Sequence, residues 1–120
     1  MLKKLIATLA LIFPLALGAT GCASEPVELG ANTVIIDVRT PGEFAGGHLE
    51  GALNIDVQSP DFAAQISQLD PAGDYFVYCR SGNRSGQAIS QMSNMGFTSM
   101  TNGGSVSKAS SLSGVPVVID

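Results

Sequence analysis

The run Thr33-Val34-Ile35-Ile36-Asp37-Val38 is β-branched and apolar at successive positions, without the alternation of a strand that faces water on one side. Such a strand is buried on both faces, so the chain must supply cover above and below it. Tyr75-Phe76-Val77-Tyr78 reads as a second, central strand. The segments between supply the cover. Ser59-Pro60-Asp61 opens a helix through Leu69, with Phe62, Ile66 and Leu69 at helical spacing. Asn83 to Met95 is the strongest helix, with Ala88, Ile89, Met92 and Met95 on one stripe and Gly96 placed to end it. Thr40-Pro41-Gly42-Glu43 opens a turn or a single helical turn, since Thr40 can cap and Pro41 suits the first helical position. Gly46-Gly47 closes it. Ala52–Ile55, Phe97–Met100 and Val115–Ile119 are expected as short strands, and Val27-Glu28-Leu29 as a first edge strand. Asn102-Gly103-Gly104 reads as a turn, and Ser105–Ser113 as a weak, serine-rich helix. Strands alternating with helices imply βαβ crossovers and a mostly parallel sheet. Ligands in such sheets bind at the carboxyl ends of the strands.

Residues 1–21 do not belong to that pattern. Lys3 and Lys4 precede an almost wholly apolar stretch, Leu5 to Ala19, broken by Pro14. It is too short for a membrane span and reads as an export signal. Ala19-Thr20-Gly21-Cys22 resembles a lipobox, which makes Cys22 the expected lipidation site and the new N-terminus. Ala23 follows where an inner-membrane retention signal would place Asp, so the expected location is periplasmic, anchored to the bacterial outer membrane. Ordinary cleavage near Ala23, giving a soluble periplasmic protein, is the alternative. Residues 22–32 form a short polar tether and 33–120 a single domain, because about 100 residues suffice for one modest core and not for two.

Removal of the signal takes Lys3 and Lys4 with it. It leaves Arg39, Arg80, Arg84 and Lys108 against ten carboxylates, a net charge of −6. Such a surface argues against nucleic acid as a partner, and against a membrane contact other than the N-terminal lipid. Two of those four cations lie in Cys79-Arg80-Ser81-Gly82-Asn83-Arg84-Ser85, directly after the central strand and before the best helix. Backbone N–H groups in a tight loop at a helix N-terminus form an anion-binding concavity. The same field favours a thiolate. Cys79 is the one cysteine left if Cys22 is lipidated, and it is the candidate nucleophile. Arg80 and Arg84 are candidate anion ligands, Arg84 above all because it closes the loop as the helix begins. Gly82 permits the tight backbone, and Ser81 and Asn83 are positioned to donate hydrogen bonds or to hold the loop's shape.

These segments together resemble a known family. Ile36-Asp37-Val38-Arg39, Glu43-Phe44 and Gly47-His48-Leu49-Glu50-Gly51-Ala52-Leu53-Asn54-Ile55 resemble the N-terminal signature of rhodanese domains. Tyr78 to Ser85 resembles their active-site loop, and Gly96-Phe97 with Asn102-Gly103-Gly104 their downstream pattern. The likeness covers roughly residues 33 to 118 and is nearest to the small periplasmic rhodaneses of the phage shock protein E type. It implies an α/β, rhodanese-like three-layer fold with a mostly parallel central sheet flanked by helices. It also implies a thiosulfate sulfurtransferase. Cys79 would take sulfur from a small anionic donor as a persulfide and pass it to cyanide or a thiol, with no cofactor beyond that covalent intermediate. Many relatives carry a tryptophan in the helix after the double glycine, where this chain has Lys108 among serines; the usual helix before the first signature strand is also absent.

Three other residues invite catalytic roles and are read as structural support. Asp37 is a strand-end carboxylate suited to a nearby partner or backbone, and Arg39 stands two residues on. His48 is the only histidine, but sulfur transfer from a thiolate needs no general base. One histidine and one free cysteine make no metal set. Two other functions remain open on the same residues. One is a cysteine-dependent phosphatase or arsenate reductase, although those enzymes commonly place five residues between cysteine and arginine where this chain has four. The other is a non-enzymatic persulfide carrier or thiol sensor. A monomer is expected.

Overall fold

The computed structural model describes residues 26–120. Residues 1–21 and Cys22, read as export signal and lipidation site, lie outside the described residues.

The central sheet has four strands: β1 Val34–Asp37, β3 Leu53–Asn54, β4 Asp74–Tyr78 and β5 Ser99–Gly104. Their spatial order is β3-β1-β4-β5, and every pairing is parallel. Asp74 fixes the common register at one end of the sheet. Its carboxylate accepts the Thr33 hydroxyl ahead of β1 and the Ser99 hydroxyl of β5, each at 2.7 Å.

Successive residues of β4 point to opposite faces and build two cores. Tyr75, Val77 and Cys79 join Ile36 and Val38 beneath α2 (Phe62–Ile66) and α3 (Asn83–Asn94), packed with Phe62, Ile66, Ala88, Met92 and Phe97. Phe76 and Tyr78 join Ile35 on the other face, against Leu49 of β2 (His48–Leu49) and Ala109 and Leu112 of α4 (Val106–Ser113). The non-alternating strand runs thus serve a sheet covered on both sides, the three-layer α/β arrangement expected.

Several elements differ from the expectation. The turn at Asn102-Gly103-Gly104 is instead the end of β5. Val77 pairs with Asn102 and Tyr78 with Gly104, so Gly103 is the extra residue of a bulge. Two adjacent glycines signal a turn locally, but here they let the strand pass close to its neighbours. A Cβ on Gly103 would lie 2.7 Å from Cζ of Phe76. Val27-Glu28-Leu29 forms no strand. The Val27 N–H donates to the Leu112 carbonyl at 2.8 Å, and Val27 and Leu29 pack on the second core, so the segment is held by α4 and not by a sheet edge. The helix at Phe62 ends at Ile66, not Leu69. Met95 is exposed at the end of α3, where the chain turns away through Gly96 at φ 97°. The C-terminal strand is only Val117–Val118, β6, and it leaves the main sheet to pair antiparallel with β2.

The small helix α1 (Pro41–Ala45) carries a full capping box. The Glu43 N–H donates to Oγ1 of Thr40 at 3.3 Å, and the Thr40 N–H donates to the Glu43 carboxylate at 3.1 Å. That places Glu43 at the carboxyl ends of the strands, with its second oxygen free for another partner.

Candidate active site

Cys79 follows β4 directly. Its N–H donates to the Gly104 carbonyl at 2.9 Å, so the end of β5 carries the base of the loop. The chain then turns through Gly82, whose φ of 92° disfavours any side chain, and enters α3 at Asn83. This turn aims the Gly82 N–H at Sγ of Cys79, 2.9 Å away. Ser85, fully buried in the first turn of α3, sets its hydroxyl 3.5 Å from the same sulfur.

Burial pushes the Cys79 thiol up. Hydrogen bonds from the Ser85 hydroxyl and from the Ser85, Ser81 and Gly82 N–H groups outweigh it and hold the thiol below its usual range. The hydroxyl's share is limited, because it carries one proton and its nearest acceptor is Oδ1 of Asn102 at 2.7 Å. The Gly82 N–H is an undivided donor, so the backbone turn does most to favour the thiolate. Asn102 braces that turn. Its Nδ2 donates to the Gly82 carbonyl at 3.1 Å, and its Oδ1 accepts the Gly104 N–H at 2.9 Å.

The cations of the loop are placed differently from each other. Arg80 is exposed beside Cys79. Arg84 turns to Glu43 and makes a two-pronged pair, Nη1 to Oε1 at 2.7 Å and Nη2 to Oε2 at 2.9 Å. The Arg84 guanidinium holds the Glu43 carboxyl down to about 2 from 4.5. Arg84 therefore clips the active-site loop to α1 and is not directed at the sulfur. Ser81 and Asn83 expose their side chains, and the N–H of Ser81 faces the thiol.

Behind the loop lies a buried polar frame. Arg39 Nη2 donates to Asp37 at 2.7 Å and to the Gly47 carbonyl at 2.6 Å, while Nε reaches both Asp37 oxygens. Its guanidinium carbon is 5.9 Å from the centroid of the Tyr78 ring, and the Tyr78 hydroxyl accepts the Leu49 N–H at 2.9 Å. His48 stacks on Phe44 at 3.7 Å, bonds the Phe44 carbonyl through Nδ1 and meets Asp120 through Nε2 at 2.8 Å. Neither ring nitrogen bonds to the loop.

The structure therefore gathers Cys79, Gly82 and Ser85 at one point, with Ser81 facing it through its backbone. It sets Arg84 aside on Glu43, and it places Asp37, Arg39 and His48 behind or beside the loop. Sequence reasoning gave no role to Ser85, Asn102 or Glu43. The Glu43 signal was present in the Thr40-Pro41-Gly42-Glu43 capping pattern. Nothing local marks Asn102, which meets the loop only through the bulged end of β5.

A buried thiol, its pKa lowered by hydrogen bonds from its loop, sits at the carboxyl end of a parallel strand of an α/β domain. The Rhodanese-like domain model matches residues 23–107. The chain is 34% identical over 104 residues to thiosulfate sulfurtransferase PspE of Escherichia coli, covering 87% of this chain and 88% of that protein. It is 32% identical over 89 residues to a sulfurtransferase of Allochromatium vinosum, covering 72% and 79%. Among solved structures, a rhodanese with anions from E. coli superposes with a TM-score of 0.60 at 31% identity, over 73% of this chain and 99% of that one. The chain belongs to the rhodanese-like family. These relatives support sulfur transfer as its chemistry.

Proposed function

We propose that the protein is a thiosulfate:acceptor sulfurtransferase that works through a persulfide on Cys79. The observation that carries this reading is the sulfur of Cys79 at 2.9 Å from the Gly82 N–H, in a loop that lowers the thiol's pKa. The Cys79 thiolate attacks the outer sulfur of thiosulfate. The Cys79 S–S bond forms as the donor's S–S bond breaks, and sulfite departs with the electron pair. In the second half, cyanide or a thiolate attacks the outer persulfide sulfur, and the Cys79 thiolate leaves. No proton transfer is needed in either step, which fits a loop without a placed acid.

Cys79 is fully buried, so a donor reaches its sulfur only by displacing part of the loop that covers it. The loop N–H groups and Arg80 then meet the sulfonate oxygens. Phosphatase chemistry is disfavoured by the same geometry. It requires an arginine turned to the oxyanion beside the thiolate, and Arg84 is engaged with Glu43. The N-terminal motif adds export and a lipid on Cys22, so we place the domain in the periplasm, anchored to the outer membrane ahead of Val27, where the chain joins the second core, and acting as a monomer.

Intact-mass analysis tests the chemistry. Thiosulfate should add about 32 Da, one sulfur, to the parent and nothing to Cys79→Ser. An equal gain in that variant would move the reaction away from Cys79.

A further inference from the structure

A cavity of about 420 Å³ opens beside the Cys79 loop, bordered by Ser81, Gly82, Asn102, Gly104, Ser105 and Lys108. Its walls belong to three elements that converge only in the fold: the active-site loop, the bulged end of β5 and the first turn of α4. Ser105 caps that turn by accepting the Lys108 N–H at 3.1 Å. The stem of Lys108 then lies along Gly104, so closely that a Cβ there would fall 2.9 Å from Cδ of the lysine. Gly104 is the residue whose carbonyl receives the Cys79 N–H. Lys108 is thus one glycine backbone away from the main chain of Cys79.

The charge inventory singles this lysine out. Among the described residues, Arg39 is held by Asp37 and Arg84 by Glu43. Arg80 stands on the exposed shoulder of the loop, and Lys108 is the one cation bordering the cavity. Serine hydroxyls and the Asn102 amide complete a polar lining around it. Resting on the sulfurtransferase reading above, we propose that this cavity is the acceptor subsite, and that Lys108 holds the carboxylate of a small acidic thiol while its sulfur reaches the Cys79 persulfide. A compact ammonium suits a single carboxylate reached across a polar pocket. The acceptor thiolate attacks the outer sulfur of the persulfide. A new S–S bond forms on the acceptor, the bond to Cys79 breaks, the electron pair returns to Cys79 as thiolate, and the acceptor leaves as its persulfide.

The test compares two acceptors on the full chain loaded with thiosulfate: 3-mercaptopropionate, which carries a carboxylate, and 2-mercaptoethanol, which does not. The measured quantity is the ratio of kcat/KM for the acid over the neutral thiol, so the intrinsic reactivities cancel between variants. Lys108→Ala should lower this ratio by about tenfold, as loss of one charged contact does, and Lys108→Glu should lower it further. Lys108→Arg should keep it within about twofold of the parent. An unchanged ratio in Lys108→Glu overturns the assignment. So does a ratio unchanged while the rate of persulfide loading from thiosulfate falls, which would give Lys108 to the donor. If the parent gains no sulfur from thiosulfate at all, the sulfurtransferase reading itself fails. A parent that loads normally, with no discrimination between acceptors in any variant, removes only the acceptor subsite.

Discussion

Glu43 has two functions in opposite directions. Toward its own helix it closes the capping box of α1, and toward the active site it grips Arg84 with both oxygens. The folded carboxyl titrates at about 2 and the ordinary one at 4.5. Its contribution to stability is therefore complete above about 4.5 and is lost as the pH falls through about 2. Between about pH 6 and about pH 3, the denaturation midpoint of the parent should fall more than that of Glu43→Gln, by the roughly 1 kcal/mol of a well-formed pair. Parallel midpoints would assign the acid sensitivity to other carboxylates. The pair also makes a kinetic prediction. Arg84→Ala leaves the Glu43 carboxylate uncompensated beside an anion site, and it should lower kcat/KM for thiosulfate by about 1.5–3 kcal/mol. Glu43→Gln keeps the guanidinium and should cost less. Equal losses in the two variants would show that the loss comes from breaking the clip and not from an uncompensated Glu43 charge.

Among the elements, β5 supports the Cys79 loop in the way least visible in the sequence. Its bulge at Gly103 brings Asn102 under the Gly82 turn and Gly104 under Cys79. Gly103→Ala would put a methyl 2.7 Å from Phe76 and 3.2 Å from Cβ of Ala109, both fully buried and unable to retreat. The expected cost is about 1–3 kcal/mol of overpacking. Because any relief shifts the end of β5, persulfide formation should slow as well. Gly42→Ala is the control, with nothing within 4 Å of the new methyl. Comparable denaturation midpoints and loading rates for both variants would show that the bulge tolerates a side chain.

For the whole molecule, Arg39 is the joint between the layers. It ties the end of β1 to the Gly47 carbonyl between α1 and β2, and it lies over Tyr78 of β4. Arg39→Ala would leave the Asp37 carboxylate buried without its partner, at about 3–5 kcal/mol, which endangers folding in so small a domain. A denaturation midpoint close to the parent's would mean that the frame is dispensable. The proposed attachment to the membrane rests on residues outside the described structure. Cys22→Ala should abolish lipid modification, detected by mass, and release the protein from membranes while sulfur loading on Cys79 persists. Unmodified native protein starting at Ala23 or beyond would instead give the soluble alternative.

The pattern of strands without alternation, and the segments with helical period between them, was enough to determine a covered parallel sheet. Burial on two faces leaves a compositional trace in every residue of a strand. The position of Cys79 was equally legible, since a strand end, a tight polar loop and a helix start are all local events. What the tertiary structure alone decided are the contacts between segments far apart in the chain. Arg84 was read as an anion ligand from its neighbours in sequence, but a carboxylate 41 residues away takes its guanidinium. The glycines at 103 and 104 were read as a turn because they lack side chains. In the fold that same lack lets β5 pass Phe76, and a local signal for chain reversal cannot be told from a space requirement set by a distant aromatic. In the sequence Lys108 was only a departure, a lysine among serines where many relatives carry tryptophan, and only the convergence of α4, β5 and the loop sets it on the same cavity as Ser81 and Gly82.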